Sequence, residues 1–68
     1  MNLRELRESH YLTQAEVAAS VGVAVTTVSN WERGEQQPSF PNIRKLAELF
    51  KTTPQAIDKA IAETAAGR

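Results

Sequence analysis

The sequence predicts an all-α domain of five short helices, and three observations carry that expectation. Two capping boxes and two cap-then-proline pairs mark helix starts along the chain. Between these signals apolar residues recur at helical spacing. The one strand-like run, residues 21–28, has no second strand to pair with, and a lone strand is not stable.

The elements follow in chain order. Asn2 with Glu5 forms the first capping box, and Leu3 and Leu6 give a short apolar stripe in a helix reaching Glu8. Thr13 with Glu16 forms the second, opening a helix with Val17, Ala18 and Val21 on one face and Gly22 as a left-handed C-terminal cap. Ser39 is expected to cap a helix with Pro41 in its first turn and Ile43, Leu46, Ala47 and Phe50 as its buried stripe. Thr53-Pro54 starts the last helix, which carries Ile57, Ala60 and Ile61, and the tail 63–68 is expected to fray. GEQQPS, residues 34–39, reads as a loop.

Residues 24–33 set local propensity against fold. Val23, Val25, Thr26, Thr27 and Val28 favour a strand. At a period of 3.6, however, Val28 and Trp31 share one face with Ala24 behind them, and Val25, Thr26, Ser29, Asn30 and Arg33 fall on the opposite, polar side. Gly34 supplies the stop. The segment is therefore expected to be a helix.

Length and composition narrow the function classes. A chain of 68 residues forms one small domain that buries about 60 % of its unfolded surface. It has no cysteine and a single histidine, which leaves no disulfide, no cysteine-based zinc site and no histidine cluster. No cofactor is implied. No apolar run approaches the roughly 20 residues of a membrane span, and the first ten residues lack the apolar stretch of a signal peptide, so a cytoplasmic protein is expected. Eight Lys/Arg balance eight Asp/Glu, so net charge neither indicates nor excludes a nucleic-acid partner. The carboxylates are scattered over exposed helical phases, and catalysis is not expected.

Helices at about 13–21 and 24–33, joined by some three residues around Gly22, have the spacing of a helix-turn-helix. Ala18 offers the small side chain that a close crossing needs, and Gly22 permits the positive φ of the corner. Val17, Val21, Val23, Val28 and Trp31 fill the space beneath it.

LTQAEVAASVGVAVTTVSNWERGEQQPS, residues 12–39, resembles the Cro/phage-repressor-type (XRE) helix-turn-helix domain, and the resemblance runs from about Leu3 to Ile57. LTQ before the first motif helix, AxxxG within it and SNWERG before a proline-containing loop are each weak signals. In this order and spacing they are specific together. The resemblance implies a compact, five-helix, lambda-repressor-like domain whose third helix enters the DNA major groove.

By position it assigns base contacts to Val25, Thr26, Ser29 and Asn30. Their chemistry suits readout without charge: Asn pairs with adenine, hydroxyls serve several bases, and Val25 packs on a thymine methyl. Gln14 matches a glutamine that donates to a backbone phosphate at a helix N-terminus. Thr27, Arg33, Gln37, Ser39 and Asn42 are weaker phosphate candidates. Arg7 and Glu32 match positions that form an ion pair between the first and third helices, an architectural role.

Two departures stand out. Ala24 occupies the place where the recognition helix usually opens with Ser or Thr, a missing cap worth about 1 kcal/mol. Few cations besides Arg33 line the DNA face, so non-specific affinity is expected to be modest.

The function expected from this resemblance is a sequence-specific, double-stranded-DNA-binding transcription regulator of bacterial or phage type, a repressor, associated with the nucleoid through DNA. It is expected to act as a homodimer on an inverted repeat with half-sites about 34 Å apart. Two alternatives stand beside it: an antitoxin-like or adaptor module that binds a protein partner through the last helix, and the DNA-binding fragment of a longer repressor. Ile57, Ile61 and Ala65 form the stripe for a dimer contact, with the opposing reading that Ile57 only closes the core. Trp31 is expected to pack, His10 to lie solvated in a turn, and Arg44, Lys45 and Lys51 to form a solvated face.

Overall fold

The computed structural model describes residues 1–66, with side chains through Thr64. Five helices account for its regular structure, with no strand among the described residues: α1 (Leu3–Ser9), α2 (Gln14–Val21), α3 (Val25–Glu32), α4 (Phe40–Leu49) and α5 (Pro54–Ala66). No helix among these residues is long and apolar enough to cross a membrane.

Both capping boxes form. Asn2 Oδ1 accepts from the Glu5 N–H at 2.8 Å while Glu5 accepts from the Asn2 N–H at 2.9 Å. Thr13 and Glu16 make the same exchange at 3.1 and 2.8 Å. Thr53 caps α5 by accepting from the Ala56 N–H at 3.1 Å. Ser39 departs from expectation. It sits at the N-cap of α4 in extended conformation, but its hydroxyl makes no capping bond. Pro41, at the second helical position, has removed one of the two N–H groups that such a hydroxyl serves.

Within residues 24–33 a helix forms over Val25–Glu32, with Ala24 and Arg33 as its caps, as the period of 3.6 requires and the β-propensity does not. Val28 and Trp31 are 1 % and 3 % exposed, so tertiary burial outweighs the few tenths of a kcal/mol per residue by which β-branched side chains disfavour a helix. Ala24 is the N-cap (φ −74°, ψ 153°) and makes no side-chain cap bond. Because its backbone already has the capping conformation, Ala24→Ser is expected to raise stability by about 1 kcal/mol in urea unfolding. A change near zero would mean that the first-turn N–H groups are satisfied by water at no cost.

Helix ends explain the rest of the chain path. Gly22 (φ 84°) bends the corner, its N–H donating to the Ala18 carbonyl at 2.8 Å and that of Val23 to the same oxygen at 3.0 Å. A Cβ built on Gly22 would meet nothing within 4 Å, so glycine is needed there for its backbone, not for space. Gly34 (φ 74°) closes α3 in a Schellman motif: its N–H reaches the Trp31 carbonyl and the Glu35 N–H reaches that of Asn30. Tyr11 and Lys51, at φ 56° and 54°, close α1 and α4 the same way without glycine.

The core joins Leu3, Val17, Ala18, Val21, Val28, Trp31, Leu46, Ala47, Phe50, Ile57 and Ile61, with Leu6, Leu12, Val23, Ile43 and Leu49 packed at its margin. Ala18 is 2 % exposed where α2 and α3 pack closely. α5 lies against α1 and α4 and touches α3, so Ile57 (0 % exposed) and Ile61 (8 %) belong to this chain's own core. The proposed dimer stripe is corrected accordingly: neither isoleucine offers a surface to a second copy. The side chain of Ala65 lies outside the described residues.

The frayed tail is corrected over residues 63–66, which continue α5. The buried Thr64 hydroxyl donates to the Ala60 carbonyl at 2.9 Å and accepts from the Leu3 N–H at 3.0 Å. It thereby satisfies one of the orphan donors of α1 and pins the two chain ends together.

Candidate nucleic-acid interface

The third helix is held on its inner side and along one edge. On its inner side Val28 and Trp31 enter the core. Along its edge Glu32, with 6 % of its side chain exposed, meets Arg7 of α1, 13 % exposed. The Arg7 Nε donates to one Glu32 oxygen at 2.6 Å and a terminal nitrogen to the other at 3.2 Å, while the remaining nitrogen donates to the Leu12 carbonyl at 2.7 Å. This fork is the ion pair that the family resemblance implied. The hydrogen bond and charge of Glu32 raise the Arg7 pKa above its ordinary value, against the lowering effect of burial.

Gln14 belongs to the same cluster. Its Nε2 donates to Glu32 at 3.0 Å, so one of its two N–H bonds faces inward. Three helices thus meet at one carboxylate, and the charge of Glu32 is matched within the chain.

On the outer side of α3, Val25 is 45 % exposed and Thr26 is exposed, while Thr27, Ser29 and Asn30 are half-buried. Ser29 and Asn30 are not loose hydroxyl and amide groups awaiting bases. Arg33, the C-cap residue, donates to Ser29 Oγ at 2.5 Å, to Asn30 Oδ1 at 2.5 Å and to Glu35 at 3.3 Å. Asn30 Nδ2 in turn donates to Gln36 Oε1 at 3.1 Å. Gln36 escaped the sequence reading because it lies in a polar loop. Its signal is the left-handed Gly34, which turns the chain back over the last turn of α3.

The phosphate candidates divide in two. Gln14 and Arg33 line a cleft of about 290 Å³ together with Arg4, Arg7, Glu32 and the base-contact candidate Ser29. Arg4 was not a sequence candidate; it stands on the exposed face of α1 with Glu8 at 3.3 Å. Thr27 lies on α3, and Gln37, Ser39 and Asn42 lie in the following loop and first turn of α4; none of these lines the cleft. Lys45 reaches the Val21 carbonyl at 3.4 Å, a cation at the C-terminal end of α2, where the helix dipole favours it. His10 is exposed, as expected, but its ring lies 5.2 Å from that of Phe50 and its Nδ1 is 3.1 Å from the Leu6 carbonyl.

Comparison with known proteins agrees with this fold. The chain is 41 % identical over 61 residues to a Thermococcus kodakarensis protein named for HTH-type transcriptional regulation, covering 90 % of this chain and 17 % of that one. It is 38 % identical over 48 residues to the cryptic phage CTXphi transcriptional repressor RstR of Vibrio cholerae, covering 71 % of this chain and 43 % of the repressor. It is 31 % identical over 51 residues to the HTH-type transcriptional activator BcrR of Enterococcus faecalis, covering 75 % and 25 % of the two chains. The chain therefore spans less than half the length of each of these relatives. No solved structure matches it at a significant level. A family model described as helix-turn-helix matches residues 3–57, and with that match the chain belongs to the XRE-type helix-turn-helix family.

Proposed function

We propose that this chain is the DNA-reading unit of a transcription regulator, a repressor, that inserts α3 into the major groove of double-stranded DNA. One observation carries the reading. A helix whose inner face is fixed by Val28, Trp31 and Glu32 turns Val25, Thr26, Ser29 and Asn30 outward at its opposite edge. Rigid support behind a face of small uncharged hydrogen-bonding and methyl groups is what direct readout demands. Gln14 and Arg33 stand beside that face as phosphate contacts, with Thr27, Gln37, Ser39 and Asn42 as further ones, and these fix register without reading sequence.

Two copies would bind an inverted repeat with half-sites about 34 Å apart. A body of 26 × 23 × 23 Å between Cα atoms suits neighbours at that separation. The relatives named as a repressor and an activator of transcription favour regulation over a purely structural role in chromatin.

Selection from random duplex DNA, followed by binding measurements across a salt series, tests the reading. Asn30→Ala is expected to relax preference at one base pair per half-site, at a cost of about 1–3 kcal/mol. Gln14→Ala is expected to weaken all duplexes alike and lower the salt slope only slightly, because its contact is uncharged. Retention of no duplex at low salt would end the proposal and favour a protein-binding module.

A further inference from the structure

We infer that Arg33 and Gln36 are positioning residues that hold the Asn30 carboxamide in one orientation and so set a preference for adenine over guanine at the base it meets. The inference rests on the DNA-reading proposal and deepens it.

The geometry starts in the backbone. Gly34, in the left-handed region, lets the Glu35 N–H return to the Asn30 carbonyl at 2.9 Å, and the Gln36 N–H approaches the same oxygen at 3.4 Å. This reversal lays residue 36 beside residue 30, where two side-chain amides meet at 3.1 Å.

An asparagine amide has two nearly isosteric orientations related by a half-turn, and hydrogen-bond partners decide between them. A guanidinium carries only donors, so the atom of Asn30 facing Arg33 must be the oxygen. Gln36 could rotate its own amide to suit either orientation; Arg33 could not. Arg33 therefore sets the polarity, and Gln36 reinforces it by accepting from Nδ2. The reverse orientation would set N–H against N–H at Arg33.

Each end of the amide keeps one further function: a second lone pair on Oδ1 and a second N–H on Nδ2. That is the pair adenine requires, with N6–H as donor and N7 as acceptor. Guanine presents two acceptors, O6 and N7, and an amide whose oxygen is held in place cannot supply a second donor. A freely turning amide would discriminate less, because its NH2 group could meet either acceptor. Arg33 accordingly serves specificity through Asn30, besides any contact with a phosphate.

The test compares affinities of the whole chain for a selected duplex and for the same duplex with the Asn30-linked adenine changed to guanine. Gln36→Ala and Arg33→Met are the informative variants, since methionine supplies no donor to hold the Asn30 oxygen. Both side chains are exposed on the surface, and circular dichroism checks that the fold is kept. Each variant is expected to reduce adenine-over-guanine discrimination about 3–10-fold, the scale of coupling within one hydrogen-bond network, and to have no effect on it in an Asn30→Ala background. Arg33→Met also removes a cation, so its salt slope is expected to become shallower by about 0.9 on both duplexes alike, which separates the lost phosphate contact from the lost discrimination. Equal weakening on both duplexes would overturn the positioning role.

A second readout needs no DNA. In 1H–15N spectra of the free protein the Asn30 side-chain NH2 pair is expected to exchange slowly and to shift in both variants. Exchange at the rate of a free amide would overturn the inference. A protected amide in a protein that shows no base preference would overturn the DNA-reading proposal, and the specificity role with it.

Discussion

Glu32→Ala is expected to cost about 3–5 kcal/mol of folding stability, the loss seen when one partner of a buried ion pair is removed. The reason lies in what remains. Arg7 would keep its bond to the Leu12 carbonyl but lose both bonds to the carboxylate, in a site where only 13 % of its side chain meets solvent. Gln14 would lose its acceptor as well. A chain of 68 residues commands roughly 3–10 kcal/mol in total, so the variant sits at the edge of unfolding at room temperature.

Urea titration followed by circular dichroism measures the loss; a loss below about 1 kcal/mol would place the pair among exposed bridges of little worth. Replacing both partners, as in Arg7→Met with Glu32→Leu, is expected to recover much of it, because apolar side chains of similar volume leave no charge unpaired. Working pH has no bearing on the Arg7 side of the pair. Its pKa is raised on folding, so its contribution is fully present below its ordinary value and is lost only as pH climbs through the higher folded value.

What the sequence revealed about the fold was the part governed by local chemistry. Asn2, Thr13 and Thr53 bond to N–H groups three residues away, and such bonds are legible from spacing. Gly22 was legible because only glycine turns that corner without strain. Tyr11 and Lys51 take the same left-handed conformation with side chains that disfavour it, and no local pattern marks them. Thr64 was hidden for another reason: its partner Leu3 is 61 residues away, and only the packing of α1 on α5 brings them together. Ile61 looked like a surplus apolar residue on the last helix, because sequence periodicity assigns a face without saying what covers it.

The candidate site was half legible. The outward residues of α3 follow from helical phase, and the Arg7–Glu32 pair followed from the family resemblance. Their hydrogen-bond partners did not. The resemblance assigns Gln14 a phosphate and says nothing of Glu32, whose shell it completes. Helical phase places Asn30 outward without naming its neighbours, and its amide is engaged at both ends. Both omissions involve side-chain amides, whose donors and acceptors turn toward neighbours fixed only by tertiary contact.

Trp31→Ala is expected to be the other severe substitution, at about 3–5 kcal/mol. Trp31 is 3 % exposed and stands on α3 directly before Glu32, so the indole and the carboxylate anchor consecutive positions of the same helix turn. Removing the ring opens a cavity beneath the element proposed to read DNA, and the short helix has little intrinsic stability with which to hold its phase. Trp31→Phe keeps an aromatic ring in place and is expected to cost less than the alanine change, which separates packing volume from any special role of the indole.

The wild-type protein supplies its own probe, since Trp31 is the single tryptophan of the chain. Its fluorescence is expected to shift to the red in one step coincident with the loss of helical dichroism. A stable Trp31→Ala variant with unchanged dichroism and reduced DNA retention would instead make the indole a contact of the binding face. The burial of the ring and the outward turn of Val25 and Thr26 argue the other way. In this helix the largest side chain serves orientation, and the small ones form the outward face for which base contact is proposed.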